Sequence, residues 1–192
     1  MPNYVQNNLI IKGNPEIIKN LKERIAGDYG PFDFDRIIPM PDTLNIVSGG
    51  LQDEAIMAYL SDNCTKPLTS VLRAACEKRG VSNRFSTDWI KEIYSRTKAR
   101  IDEDGTDKKY DFRSDFISPI NKDLTLFDAG KIYVTNVDKY GAPTWYEWHC
   151  NNWGCKWNCS DASLEEIADN HIEYWFTTPW SCPEPIFQAL AN

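Results

Sequence analysis

One stretch constrains this chain more than any other. Residues Pro143 to Asn158 read Pro-Thr-Trp-Tyr-Glu-Trp-His-Cys-Asn-Asn-Trp-Gly-Cys-Lys-Trp-Asn, and they hold four of the seven tryptophans and two of the six cysteines, with Cys159 immediately after. Trp145, Trp148, His149, Asn152 and Trp153 recur at three- and four-residue steps, which places them on one face of a helix opened by Pro143. Gly154 follows where a left-handed residue would stop that helix. Beyond it the period changes to two. Cys155, Trp157 and Cys159 alternate with Lys156, Asn158 and Ser160, the pattern of a strand. The expectation is a helix, a glycine stop and a strand locked together by aromatic side chains. Trp145, Trp148, Asn152, Trp153, Gly154 and Trp157 are its structural motif.

The flanking segments supply the rest of the elements. Val5 to Lys12 is rich in β-branched and aliphatic residues and ends at Gly13, which predicts a strand. Asn14 and Pro15 offer a cap and a first helical residue for a helix with Ile17, Ile18, Leu21 and Ile25 on one stripe and Gly27 as its stop. Phe32 to Ile38 alternates with Asp33 and Asp35, then runs into Pro39 and Pro41. That predicts a second strand with both aspartates on its wet face, completing a β-α-β unit. Helices are expected over 53–61 and 67–78, and from Thr87 or Asp88 onward with Ile90, Ile93, Tyr94, Thr97 and Ile101 on one side. Residues 102–115 read as a loop or frayed helix end. Leu126, Ala129, Tyr133 and Val137 mark a helix ending near Gly141. Ser163 to Glu166 has the form of a capping box and predicts a helical turn. Ile172, Tyr174, Phe176 and Thr178 then alternate as a strand, and Pro183 or Pro185 opens a last helix through Ile186, Phe187 and Leu190.

Hydrophobic residues make up 42% of the 192, and aromatic residues 12%, enough for a sizeable aromatic core and too much for extended disorder. No apolar run approaches the ~20 residues that span a bilayer. The start, Met1-Pro2-Asn3-Tyr4, lacks the basic and apolar regions of a secretory signal. A cytoplasmic protein with no membrane partner is expected. Cysteines at 64, 76, 150, 155, 159 and 182 do not form a small secreted framework, so free thiols are expected.

The net charge of −7 is uneven: residues 64–101 carry nine Lys/Arg against three Asp/Glu, and residues 102–192 carry seven against sixteen. The overall sign opposes indiscriminate nucleic-acid binding, and the basic segment leaves room for one basic face. Arg84, Lys91, Arg96, Lys98 and Arg100 are its candidate partner or nucleic-acid contacts, within a wider set of Lys66, Arg73, Lys78 and Arg79. Trp157, Tyr174 and Phe176 are candidates for stacking nucleobases on a sheet. Core packing is the competing reading for all three.

Reaction chemistry has little footing. His149, Cys150, Cys155 and Cys159 are the metal-like cluster, but on a strand Cys155 and Cys159 would stand roughly 13 Å apart, too far to share an ion. Cys150 with His171 is a formal nucleophile and base without a flanking signature. Asp33, Asp35 and Asp42 read as surface carboxylates. Val47-Ser48-Gly49-Gly50 lacks the Lys-Ser/Thr of a phosphate loop. No catalytic residue, cofactor or metal is expected.

Three pieces carry a family resemblance: Val5 to Gly13, Phe32 to Pro41, and the tryptophan-rich stretch running on to Trp175-Phe176-Thr177-Thr178-Pro179-Trp180-Ser181. Together they resemble the YubB-type ferredoxin-like proteins of bacteriophages and conjugative plasmids, leaving residues 50–120 unmatched. The resemblance implies an α+β fold: a ferredoxin-like sheet of three to four strands with helices, and a large helical insertion between the second and third strands. A single domain follows, with its core from 1–42 and 143–192 and the insertion over about 50–140. The family's topology implies no iron–sulfur cluster, and it has Thr where Cys155 stands. Members continue past the last helix into another strand, so either this chain is a shortened member or its sheet has an edge that something else can cover. The function implied is that of a non-enzymatic accessory protein that binds a host protein, for instance as a counter-defence inhibitor. A nucleic-acid-binding module using the basic 66–100 segment is the alternative.

Overall fold

A computed structural model of the chain describes residues 3–28, 30–79, 87–113 and 123–191. The fold is α+β, with a three-stranded and a two-stranded antiparallel sheet. The chain divides into two compact units, Met1–Met40 with Tyr146–Asn192, and Pro41–Trp145.

The first unit is built on strand β1 (Tyr4–Lys12) and the hairpin β4 (Ser160–Ala168) and β5 (His171–Pro179), in the order β1-β5-β4. β5 is antiparallel to both neighbours, with Leu9 opposite Tyr174 on one side and Leu164 opposite Tyr174 on the other. Helix α1 (Pro15–Ile25) starts as the sequence predicts: Asn14 Oδ1 accepts from the backbone N–H of Glu16 and Ile17, and Pro15 takes the first turn. The last helix, α8 (Glu184–Ala191), is likewise in place and buries Ile186.

Several expectations fail in this unit. Phe32 to Ile38 is not a strand; residues 34–37 form one helical turn, α2 (Phe34–Ile37). Asp33 Oδ1 caps it by accepting from Asp35 N–H, and Asp35 Oδ1 accepts from Met40 N–H, so both carboxylates bind local backbone and neither lines a wet strand face. The predicted β-α-β unit over residues 5–38 therefore does not form. The large helical segment follows β1 and α2 and precedes β4, so it enters between the first and second strands of this sheet, not between the second and third. The capping-box turn at Ser163 to Glu166 is also absent; those residues lie within β4, where pairing with β5 outweighs the local helix signal.

The aromatic core explains why Phe32 and Phe34 belong here. The Phe32 ring stacks on Tyr174 at 5.0 Å and meets Phe176 at 4.8 Å; Phe34 packs edge-on against Phe176 and Trp153. Trp153 follows α7 (Trp145–Asn152), and its indole N–H donates to the Ile38 carbonyl at 2.9 Å. Gly154 ends this helical segment at φ +80°, and a Cβ there would lie 2.8 Å from Pro185 Cδ. The strand expected at Cys155 to Cys159 is instead a run of bends, and β4 begins only at Ser160. Cys155 Sγ turns back to donate to the Trp157 carbonyl, a local contact that an extended strand does not make.

The second unit is mostly helical: α3 (Gln52–Leu60), α4 (Leu68–Arg79), α5 (Thr87–Asp104) and α6 (Leu126–Tyr140), with the short pair β2 (Lys109–Tyr110) and β3 (Leu124–Thr125). Ile90, Ile93 and Thr97 are buried along α5, as the periodicity predicts. α6 forms despite its β-branched run, capped by Thr125 at the start and by Gly141 in the left-handed region at the end. α3 and α6 pack at close range: a Cβ on Gly130 would lie 1.9 Å from the Ala55 carbonyl oxygen. Tyr133 donates from its hydroxyl to the Val47 carbonyl, and Asn136 from its amide to the carbonyls of Thr43 and Pro143.

Trp153 and Trp157, paired by the sequence as motif residues, separate in the fold: Trp153 is buried and Trp157 only partly buried. Trp153→Ala is expected to lower the unfolding free energy by about 3–5 kcal/mol and Trp157→Ala by less, read from urea unfolding curves.

Candidate interaction surface

Strict alternation along β5 gives its sheet two unlike faces. Ile172, Tyr174, Phe176 and Thr178 point inward and are buried. His171, Glu173, Trp175 and Thr177 point the other way. Their cross-strand neighbours on β1 are Lys12, Ile10, Asn8 and Gln6, all exposed. Ser163 and Glu165 of β4 lie beside Trp175 and Glu173.

Trp175 stands at the middle of this outer face with 48% of its surface exposed, and Ile10 is 52% exposed. Around them the groups are polar, and the charged ones, Glu165, Glu173 and Asp161 against Lys12, are mainly acidic. Glu173 accepts from the Asn8 amide at 3.3 Å and lies 3.3 Å from His171 Nε2, with Glu165 directly across the hairpin. Thr177 donates to Asp161 and shares a 2.7 Å contact with the Ser160 hydroxyl. An exposed aromatic ringed by polar groups is the make-up of a protein-contact centre. The charge of the chain follows the same division. Residues 1–40 with 146–192 carry six Lys/Arg against twelve Asp/Glu; residues 41–145 carry fifteen against sixteen.

The aromatic candidates sort by strand phase. Tyr174 and Phe176 face the core, and Trp175 between them is the aromatic on the open face. Trp175 is not among the sequence candidates, although the alternation that selects its two neighbours assigns it to the opposite side. Trp145 and Trp148 are buried; Asn152 donates from its amide to the Trp148 carbonyl. Trp157 lies against Trp180 with ring centroids 5.7 Å apart.

His149 is buried and stacks on Trp153 at 3.7 Å and 15°. Its Nδ1 lies 2.9 Å from the Lys156 carbonyl, so that nitrogen carries the hydrogen and donates. Burial lowers its pKa to about 4. The thiols are shifted in the opposite sense to nucleophiles. Burial pushes Cys155 and Cys159 up to about 12, and burial with the neighbouring Glu147 raises Cys150. Cys159 Sγ donates to the Phe32 carbonyl. Among the described residues no group of three or more His, Cys, Asp or Glu is placed to hold a metal ion.

The basic candidates are met by carboxylates. Glu54, 1% exposed, accepts from Arg96 at 2.7 Å and from Arg100 at 2.5 Å. Lys98 pairs with Asp102 and Lys91 with Asp88 along α5. Arg84 lies outside the described residues, as do the side chains of Lys78 and Arg79. Sequence reasoning missed Glu54 because it sits on α3, over forty residues from its partners.

The chain matches no family model and no curated protein. Among solved structures it is similar to a crystal structure of the protein api92 from Yersinia pseudotuberculosis, described under the family model DUF1281. The TM-score is 0.40 and the identity 11%, over 100% of this chain and 86% of that one.

Two outcomes follow from these placements. Replacing Arg96 and Arg100 together by Ala leaves the buried Glu54 carboxylate uncompensated. Thermal and urea unfolding should show a loss of about 3–5 kcal/mol, partly recovered by adding Glu54→Gln. For His149 the folded value lies below the ordinary 6.5, so between pH 6.5 and about 4 the unfolded chain binds a proton that the folded chain refuses. Stability therefore falls as pH drops through that window, by about 3 kcal/mol in total. His149→Phe should remove this component from the pH dependence of the melting curve.

Proposed function

We propose that the chain is a YubB-type ferredoxin-like protein of phages or plasmids that binds a host protein in the cytoplasm, acting as a non-enzymatic accessory or counter-defence factor. The observation that carries the binding reading is the open face of β1, β5 and β4, where Trp175 is exposed at the centre of an acidic, hydrogen-bonded surround. Such a face complements a partner with an apolar pocket and a basic rim.

Strand order supports the ferredoxin-like part. β1 and β4 are each antiparallel to β5, hence parallel to one another, and α1 follows β1 as in a split β-α-β arrangement. β1 pairs with β5 alone among the described strands, so its outer edge offers unpaired backbone groups to a partner strand beside the same face. The raised thiols of Cys150, Cys155 and Cys159 support a role without covalent chemistry.

The nucleic-acid alternative has a weaker footing, because Lys91, Arg96, Lys98 and Arg100 each face a carboxylate. The test is a pull-down from bacterial lysate with the full chain, its Trp175→Ala variant and its Glu165→Lys variant. The expected result is a stoichiometric protein partner held by the parent chain and reduced at least tenfold by either substitution, with melting temperatures unchanged. Loss of no partner on either substitution, or retention of nucleic acid that disappears above moderate salt, overturns the proposal.

A further inference from the structure

Three aromatic rings converge on one ammonium group. Lys156 Nζ lies 4.5 Å from the Trp157 ring centroid, 5.3 Å from that of Tyr146 and 5.6 Å from that of Trp180. All three distances fall within the ~6 Å over which a ring's quadrupole attracts a cation. Trp157 and Trp180 are neighbours, with ring centroids 5.7 Å apart and planes tilted by 31°. Tyr146, from the first turn of α7, adds a third.

The rings differ from the core tryptophans in what holds them. Trp148 and Trp153 are buried, but Tyr146 is 39% and Trp180 51% exposed. Trp180 also stands at φ +66°, in the left-handed region that a bulky side chain rarely adopts. Hydrogen bonds fix the backbone there: Trp180 N–H donates to the Asn3 carbonyl at 2.7 Å, Thr178 Oγ1 donates to the Ser181 carbonyl, and Ser181 Oγ donates to the Gly154 carbonyl. Core packing does not account for a strained backbone that leaves half of an indole in solvent. Strain held in place by surrounding hydrogen bonds at an exposed aromatic is the arrangement of a binding wall.

We propose that Tyr146, Trp157 and Trp180 form an aromatic cage for a trimethylammonium group, and that Lys156 is its built-in occupant, displaced when the ligand enters. The lysine reports the preference of the site: a cation sits there already. A primary ammonium is strongly hydrated and presents three donors that ring faces satisfy poorly. A trimethylammonium group carries the same charge on apolar methyls, so it gains both the ring attraction and the burial. Two sources share this chemistry, a trimethylated lysine side chain and choline or its phosphate ester.

The test follows the indole N–H resonances of the intact chain by NMR, assigned with Trp→Phe variants. The probes are N-acetyl-trimethyllysine methylamide, phosphocholine, and 3,3-dimethylbutanol as the uncharged carbon isostere of choline. The Trp157 and Trp180 signals should shift with at least one charged probe, saturably, while the Trp153 signal stays put. Lys156→Ala should tighten binding roughly tenfold by removing the competitor. Tyr146→Leu should abolish it and Tyr146→Phe should retain it, a pair that separates the loss of a ring from the loss of the fold at a partly exposed position. Stronger response to one charged probe identifies the source. Absence of any shift in the Lys156→Ala variant, equal shifts with 3,3-dimethylbutanol, or equal affinity in the parent and Lys156→Ala chains overturns the proposal.

Discussion

The packing of Phe32 and Phe34 onto the inner face of β5 is the contact on which the first unit depends. Tyr174 and Phe176 supply two large rings from alternate positions of the central strand, and Phe32 and Phe34 cover them from a segment near the start of the chain. Trp153 closes the same cluster from beyond α7. Because these rings occupy every inward position in the middle of β5, the outward positions are left to Glu173, Trp175 and Thr177. The open face follows from the closed one, since a strand cannot bury both sides against a single layer of helices.

Much of this was legible in the sequence where the signal is periodic and local. The Asn14-Pro15 helix start, the stripe Ile90, Ile93, Thr97 along α5 and the alternation of β5 all appear as read, because cap chemistry and burial phase agree there. The failures occur where two local codes compete. Phe32-Asp33-Phe34-Asp35 alternates like a strand, but each aspartate also caps backbone N–H groups, and a capped turn presents both phenylalanines to the sheet. Ser163 to Glu166 matches a capping box, but pairing with β5 decides the outcome across a hairpin the box does not encode. Gly154 is the stop that the sequence predicts, and the strand expected immediately after it begins only at Ser160, past a set of bends.

The candidate surface shows the same limit in another form. A run of basic residues read along the chain suggested an electropositive face, but their partners lie on the same helix one turn away or, for Glu54, on a different helix. Charge counted by segment cannot register such pairing. Trp175 was hidden for the opposite reason: its neighbours are the more conspicuous members of an alternating pattern, and the residue out of phase with the core is the one left for a partner.

The sheet of the first unit also has a consequence for how the chain is made. Asn7 and Thr178 are joined by a side-chain hydrogen bond across 171 positions of sequence, and every pair between β1 and β5 spans a comparable distance. During synthesis β1 emerges long before its partner exists. The helical segment of residues 41–145 can reach its own low-separation contacts while β1 and the two phenylalanines wait unpaired. Until β5 is made, β1 therefore has no strand to pair with, and an unpaired strand is the kind of surface most open to wrong pairing.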